Sequence, residues 1–347
     1  MKAIIKEDRK PGLFLRNIEK PKVKQGHLLV KVHACSICGG DNYLYKWNKI
    51  MDTWNIPLPL VIGHEFCGDV VEIGDEPRHG ASYFAVGDRI AADSHVYCNE
   101  CAQCLANRKH ICENVKVFGI HTDGGFAEYV NVPAHIAFKV PQSLSYEEGA
   151  LLEPFGVGVK SYNTARPNLS DNVAVIGAGP IGLFIAKLCV VSGIMETFVF
   201  DPVGFRQEFA RELGIRHSLD PLNRDVTKSL TGKMDVVFEA SGTAEGLQDA
   251  LALVAPNGTV IIIGAQQDKV SVDVKNDIMV KEITVRGTYG RLIWDTWHQM
   301  MRILENSDIH LRQFITHRFV FDRFEDAFSV SLRGNCGKIV LFPDEVE

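Results

Sequence analysis

Four cysteines crowd together at Cys98, Cys101, Cys104 and Cys112, with gaps short enough to be closed by tight turns. Thiolates at such spacing complete a tetrahedral Zn²⁺ shell with no position left for a substrate, which makes a structural site. The residues between them, Asn99, Glu100, Asn107 and Arg108, are polar and belong on an exposed lobe, where unliganded thiols would be open to oxidation. The chain holds nine cysteines, an odd number, and Lys2, Lys6, Glu7, Asp8, Arg9 and Lys10 carry charge where an export signal needs an apolar stretch. Metal is therefore expected in place of disulfides, in a cytoplasmic protein.

A second set of metal-binding residue types is scattered. Cys38 follows Cys35-Ser36-Ile37 and precedes Gly39-Gly40-Asp41; His64 stands in Gly63-His64-Glu65; Glu153 precedes Pro154. One sulfur, one imidazole and carboxylates suit an open zinc sphere, whose remaining position takes water or an alkoxide. Spacing alone does not bring them together. Each has an ordinary alternative use, as a packed thiol, a hydrogen-bonded histidine or an acid at a helix start.

The third constellation is Gly177-Ala178-Gly179-Pro180-Ile181-Gly182, after an apolar run at 173–176 and before a helical pattern at 180–191. Glycines so placed make a tight turn, admit a pyrophosphate to the backbone and pack helix on strand, with the helix N-terminus facing the phosphates. Asp201 ends the next strand pattern, where an acid accepts hydrogen bonds from ribose hydroxyls and repels a 2′-phosphate. NAD is the expected cofactor. Arg206 keeps NADP as the minority alternative, because a guanidinium there would meet a 2′-phosphate.

The elements around these residues divide in two. The first half is rich in strand-like runs, at 27–33, 69–73 and 126–132, broken by Gly, Pro and Asp. From about residue 171, strand, glycine turn and amphipathic helix alternate, with strands expected at 197–201, 235–238, 259–263 and 283–285, which predicts a doubly wound parallel sheet. A helix at 294–305 and strands at 314–320 and 338–342 then resemble the first half again. At 347 residues two domains are expected, and 46% hydrophobic residues suffice for their cores. The net charge of −6, without any Lys/Arg block or apolar run of membrane-spanning length, argues against nucleic acid and membrane as partners and favours a small hydroxylated molecule.

Taken in order, Ile37-Cys38-Gly39-Gly40-Asp41, Gly63-His64-Glu65, the cysteine lobe, Gly124-Gly125-Phe126-Ala127-Glu128-Tyr129, Glu153-Pro154 and the Gly177 turn resemble the zinc-containing medium-chain alcohol dehydrogenases along nearly the whole chain. Within that family the L-threonine 3-dehydrogenase branch is most similar, through Tyr45-Lys46-Trp47, Trp54, the segment Arg286 to Arg291, Trp297, the segment Ile315 to Phe319, and Gly337-Lys338. The resemblance implies an α/β fold: a GroES-like β domain (1–146), a Rossmann domain (147–290) and a return to the first domain (291–347). It implies two Zn²⁺ per chain. Cys38, His64 and Glu153 would hold the catalytic ion, with Glu65 able to enter, Asp41 would orient His64, and Cys98, Cys101, Cys104 and Cys112 would hold the structural ion. It also implies a homo-oligomer, a tetramer or dimer.

In two segments the chain departs from that pattern. The family usually has a Thr or Ser where Gly40 stands, to take the substrate proton, and often a His where Tyr43 stands, to pass it outward. The Asn that threonine dehydrogenases often carry after Glu153-Pro154 is also absent. The expected reaction is oxidation of a secondary alcohol with hydride transfer to NAD, on L-threonine or alternatively a polyol, sugar or aminocyclitol. A cofactor-binding protein without turnover is the rival from a different class.

Overall fold

The computed structural model of the chain describes residues 1–47, 49–74, 83–266 and 269–344. Strand His27–Ser36 is the spine of the first sheet. It pairs antiparallel with Phe66–Ile73 along one edge, and along the other with Tyr129–Pro133 and then Lys338–Phe342. Arg89–Ala92 and Ala137–Lys139 extend the first edge, and Ile315–Val320 lies parallel to Lys338–Phe342 on the second. Strands from the end of the chain thus complete a sheet begun near its start. The strand expected from residue 126 begins only at Tyr129. Phe126 donates its N–H to Ile62 and Ala127 bridges Ala3, so this part of the run serves the small sheet built on Lys2–Lys6.

The second sheet is wholly parallel. In spatial order its strands are His217–Leu219, Glu196–Phe200, Asn172–Ile176, Met234–Glu239, Val254–Ile262 and Thr284–Gly287. The order reverses between Asn172–Ile176 and Met234–Glu239, and doubly wound folds take their ligands in the crevice at such a switch point. His217–Leu219 is too short to show a period in the sequence. Val254–Ile262 starts well before residue 259 because Pro256, Asn257 and Gly258 form a bulge inside the strand where they read as a turn. Asn257 has φ of 63°, and the register against Met234–Glu239 slips there.

Helix Leu152–Ala165 lies between the two sheets and packs on Pro180–Val191. Phe155, Phe184 and Phe314 join them, with ring centroids 5.4 and 4.6 Å apart. Each such buried aromatic contributes about 1.5–3 kcal/mol. Trp297, on helix Asp295–Asn306, is fully buried and donates its indole N–H to Asp93 of the first sheet at 2.8 Å. These contacts fix the relative placement of the two halves and hence of everything in the cleft between them.

Candidate active site and metal centres

Cys98, Cys101, Cys104 and Cys112 converge. Their sulfurs lie 3.5 Å (Cys98–Cys112), 3.8 Å (Cys101–Cys112) and 4.0 Å (Cys98–Cys104) apart, with no disulfide among them. A tetrahedral shell with Zn–S bonds of about 2.3 Å has sulfurs about 3.8 Å apart, so the donors fit one closed Zn²⁺ site. Tight turns also bring backbone N–H groups onto the sulfurs: Glu100 and Cys101 donate to Cys98, and Asn114 to Cys112, each at 3.4 Å. The first two pull the Cys98 thiol down to about 6, which favours the thiolate that a metal needs.

Cys38, His64 and Glu65 form the second cluster, with one ligand atom from each lying within 4.8 Å of the others. Local structure explains their placement. Cys38 caps helix Gly39–Lys46: its N–H is accepted by the Asp41 carboxylate at 2.9 Å and its sulfur faces the Gly40 N–H at 3.4 Å. Gly63 has φ of 94°, and a Cβ there would lie 2.1 Å from the Phe126 ring, so only glycine lets the loop carrying His64 close against Gly124–Phe126. Glu65 is held from behind by Ser36 and by Lys338, which is itself buried and also donates to Ile37 O at 2.8 Å.

Two polar atoms in this cluster are orphaned. His64 Nδ1 and Asp41 Oδ1 are buried, face each other at 3.9 Å, and have no hydrogen-bond partner among the described residues. A ring ligating through Nε2 presents Nδ1–H, and a small approach would give Asp41 that proton to accept, the pairing that holds metal-bound histidines. Burial pushes the Cys38 thiol up, opposed by His64, so a thiolate there calls for a further cation. The residues therefore fit an open zinc site.

Glu153 stands outside this three-residue group. Its carboxylate pairs with Arg291 at 2.7 Å, and the same guanidinium donates to the Glu153 backbone O at 3.4 Å. Arg291 is fully buried and also donates to both oxygens of Asp93, at 2.8 and 2.9 Å, and to Ser94 Oγ at 2.9 Å. Asp93 further accepts from His95 and Trp297. Burial alone would raise the Asp93 carboxyl, but the Arg291 charge, with bonds from Arg291 and His95, holds it well below the usual carboxylate range. Sequence reasoning missed Asp93 and His95. The available signal was a charged Asp93-Ser94-His95 at the end of an apolar strand, just ahead of the cysteine lobe. Tyr43 is half-buried against the first core, and its hydroxyl has no hydrogen bond among the described residues.

At the glycine turn each residue has a separate steric reason. Gly177 has φ of 97°; a Cβ on Gly182 would lie 1.9 Å from Gly177 O; at Gly179 a Cβ would meet nothing within 4 Å, which leaves its backbone open to a ligand. Pro180 opens the helix, followed by Ile181. Asp201 is nearly buried, accepting from Ala178 N at 2.8 Å and Val203 N at 2.9 Å, with Arg206 at 3.4 Å from the same carboxylate. Asp201 thus braces the turn, and Arg206 is anchored on Gly334 O at 2.9 Å.

Comparisons with known proteins agree with this geometry. Residues 24–142 match the alcohol dehydrogenase GroES-like domain and residues 180–306 match the zinc-binding dehydrogenase domain. The chain is 37% identical to the L-threonine 3-dehydrogenase of Pyrococcus abyssi, over 98% of both chains. A Sinorhizobium meliloti 1021 protein described as a zinc-binding dehydrogenase, bound to NADP, superposes with a TM-score of 0.87 at 31% identity over 99% of both chains. The 2R,3R-butanediol dehydrogenase of Bacillus subtilis does so with 0.85 at 29% identity, again over 99% of both. The chain, with a closed thiolate cluster, an open Cys-His-Glu cluster and a glycine turn at the switch point of a parallel sheet, belongs to the zinc-dependent medium-chain alcohol dehydrogenases and oxidises alcohols.

Proposed function

We propose that the protein oxidises a secondary alcohol of a small polar metabolite, with L-threonine as first substrate and NAD as hydride acceptor. The observation that carries this reading is the convergence of Cys38, His64 and Glu65, with Asp41 behind the imidazole. The full-length likeness to an L-threonine 3-dehydrogenase supports the substrate. Zinc held there supplies Lewis acidity that lowers the pKa of a bound hydroxyl toward neutrality, and a nicotinamide accepts the hydride. Asp41 orients His64, Lys338 and Ser36 fix Glu65, and Arg291 holds Glu153, which we assign as the fourth donor and second carboxylate of the set. We assign two zinc ions per chain, one to each cluster. We also infer a cytoplasmic homo-oligomer, tetramer or dimer: no helix among the described residues is long and apolar enough to cross a membrane, and Met279 and Val280 expose apolar surface for a second copy. NADH formation with L-threonine, against a panel of polyols, sugars and aminocyclitols, tests the substrate. Turnover on none of them would sink the reading and leave a non-catalytic cofactor binder.

The polyol, sugar or aminocyclitol alternative rests on Gly40. A Cβ there would meet only the Cys38 sulfur, at the ordinary contact distance of 3.7 Å, so the chain leaves open space beside the metal ligands where a larger substrate fits. The same space makes Gly40→Thr tolerable. The added hydroxyl is expected to take the substrate proton, moving the acid limb of the kcat pH profile and raising kcat about tenfold or more at neutral pH. An unmoved profile with unmoved kcat would show that no relay was lost at this position.

Asp201 carries the choice of NAD over NADP. A carboxylate at the end of the second strand accepts from a ribose diol and repels a 2′-phosphate, while Arg206 beside it is ready for that phosphate. Asp201→Gly is expected to lower kcat/KM for NAD about tenfold or more and to narrow the NAD-to-NADP ratio by a similar factor. A ratio that stays constant would remove Asp201 from cofactor selection.

A further inference from the structure

A cavity of about 880 Å³ opens between the cysteine lobe, helix Leu152–Ala165 and strand Thr284–Gly287. Its walls carry Arg108, Lys160, Arg166 and Arg286 against a single carboxylate, Asp295. None of these four cations forms an ion pair among the described residues, although the chain as a whole is acidic. Arg108, Arg166 and Arg286 are exposed and Lys160 is half-buried, so the recess presents a concentrated positive charge to solvent. Burial lowers Lys160 to about 8, and Arg291 and Arg286 add to the effect. His110, buried on the same wall, has an Nδ1 with no hydrogen-bond partner among the described residues. Three elements therefore converge on the cavity with cations that lack an acidic partner, although Arg108 donates to Gln103 and Lys160 to a backbone carbonyl, and with one orphaned imidazole nitrogen.

The cavity is close to the chemistry. Lys160 lies two turns along its helix from Glu153 on the same face, about 10 Å away. Lys160 also donates to Tyr289 O, and the Tyr289 ring packs edge-on against His95 at 5.2 Å. The segment from Tyr289 to Arg291 thus separates the basic cavity on one side from the Asp93–Arg291–Glu153 network on the other.

We propose that this cavity binds the oxyanion group, phosphoryl or carboxylate, of a small-molecule ligand. Guanidinium forks and an ammonium spread over three walls match the several acceptor oxygens of such a group better than they match a chloride ion. The oxyanion has two sources, an acidic substituent on the alcohol substrate or a separate small anion. The first source rests on the catalytic reading above; the second does not.

Titration of the zinc-loaded protein with inorganic phosphate, without cofactor or alcohol and at constant ionic strength in chloride, tests the site directly. Saturable binding is expected, weakened about tenfold or more in both Lys160→Gln and Arg286→Gln. Thermal unfolding of each variant close to that of the parent shows that the fold is unaffected. Steady-state kinetics on a pair of alcohols differing only by a phosphate ester or carboxylate then separate the sources. A substrate substituent gives a KM raised about tenfold for the charged alcohol alone. A separate anion leaves both KM values unmoved while phosphate binding still weakens. Phosphate affinity unchanged by both substitutions, together with unmoved KM for both alcohols, overturns the proposal. Absence of turnover on every alcohol would instead defeat the catalytic reading, with the phosphate titration still deciding the site.

Discussion

Replacing Cys38 by Ser is expected to lower kcat by about 10³-fold or more while the protein stays folded, because Lewis-acid stabilisation is worth several kcal/mol and each 1.4 kcal/mol is tenfold in rate. The serine keeps the volume and the helix cap: its Oγ can face the Gly40 N–H as the sulfur does, and the Asp41 bond to the residue 38 N–H is a backbone contact that survives. On the ligand set proposed above, it removes the soft anionic donor and leaves His64, Glu65 and Glu153 as an incomplete set. Metal content read by atomic emission should therefore fall from the two zinc ions per chain proposed above to one, because Cys98, Cys101, Cys104 and Cys112 form a separate cluster and are untouched. Two ions retained with activity near that of the parent would mean that Cys38 is a packed thiol after all. Two ions lost would mean that the clusters are structurally coupled.

Residue type and local order made part of this site readable in advance. The cysteine lobe was legible because its four ligands are close in sequence, so turn geometry alone brings them together. The glycine turn was legible because the same few residues carry the strand end, the tight turn and the helix start. Cys38, His64 and Glu65 are a different case. They sit on a helix cap and in a loop between two sheets, and the antiparallel pairing of His27–Ser36 with Phe66–Ile73 brings them together. Family resemblance pointed to these residues, but nothing in their spacing could. The doubly wound sheet followed from alternating strand and helix patterns, whereas His217–Leu219 and the bulged start of Val254–Ile262 were hidden by shortness and by turn-forming residues within a strand. Least legible were the partners of Arg291. Asp93, Glu153 and Trp297 come from three distant parts of the chain, and a buried ion-pair network has no local pattern.

That network carries the second large effect. Arg291→Met is expected to destabilise the protein by about 3–5 kcal/mol, the usual cost of removing one member of a buried ion pair and leaving the others uncompensated. Methionine approximates the volume of the side chain, so the loss reports charge and hydrogen bonds more than a cavity. Its pH dependence separates the two. In the parent, Arg291 and His95 hold the Asp93 carboxyl below its unfolded value of about 3.9, so Asp93 contributes stability fully above that value, and loses it as pH falls through the lower folded value. Without Arg291, burial dominates and the folded-state carboxyl is pushed up instead, so the variant must either hold an unpaired buried charge or take up a proton. Its deficit relative to the parent should then be largest near pH 8 and shrink toward pH 5, as urea unfolding with zinc in excess would show. Combining it with Asp93→Asn should recover part of the loss, since the amide leaves no buried charge at that position. Arg291 also holds the Glu153 carboxylate, so kcat should fall in Arg291→Met and remain low in the double variant, where stability is partly restored. A deficit independent of pH, or kcat recovering along with stability, would show that the guanidinium is structural filler and that Glu153 keeps its position without it.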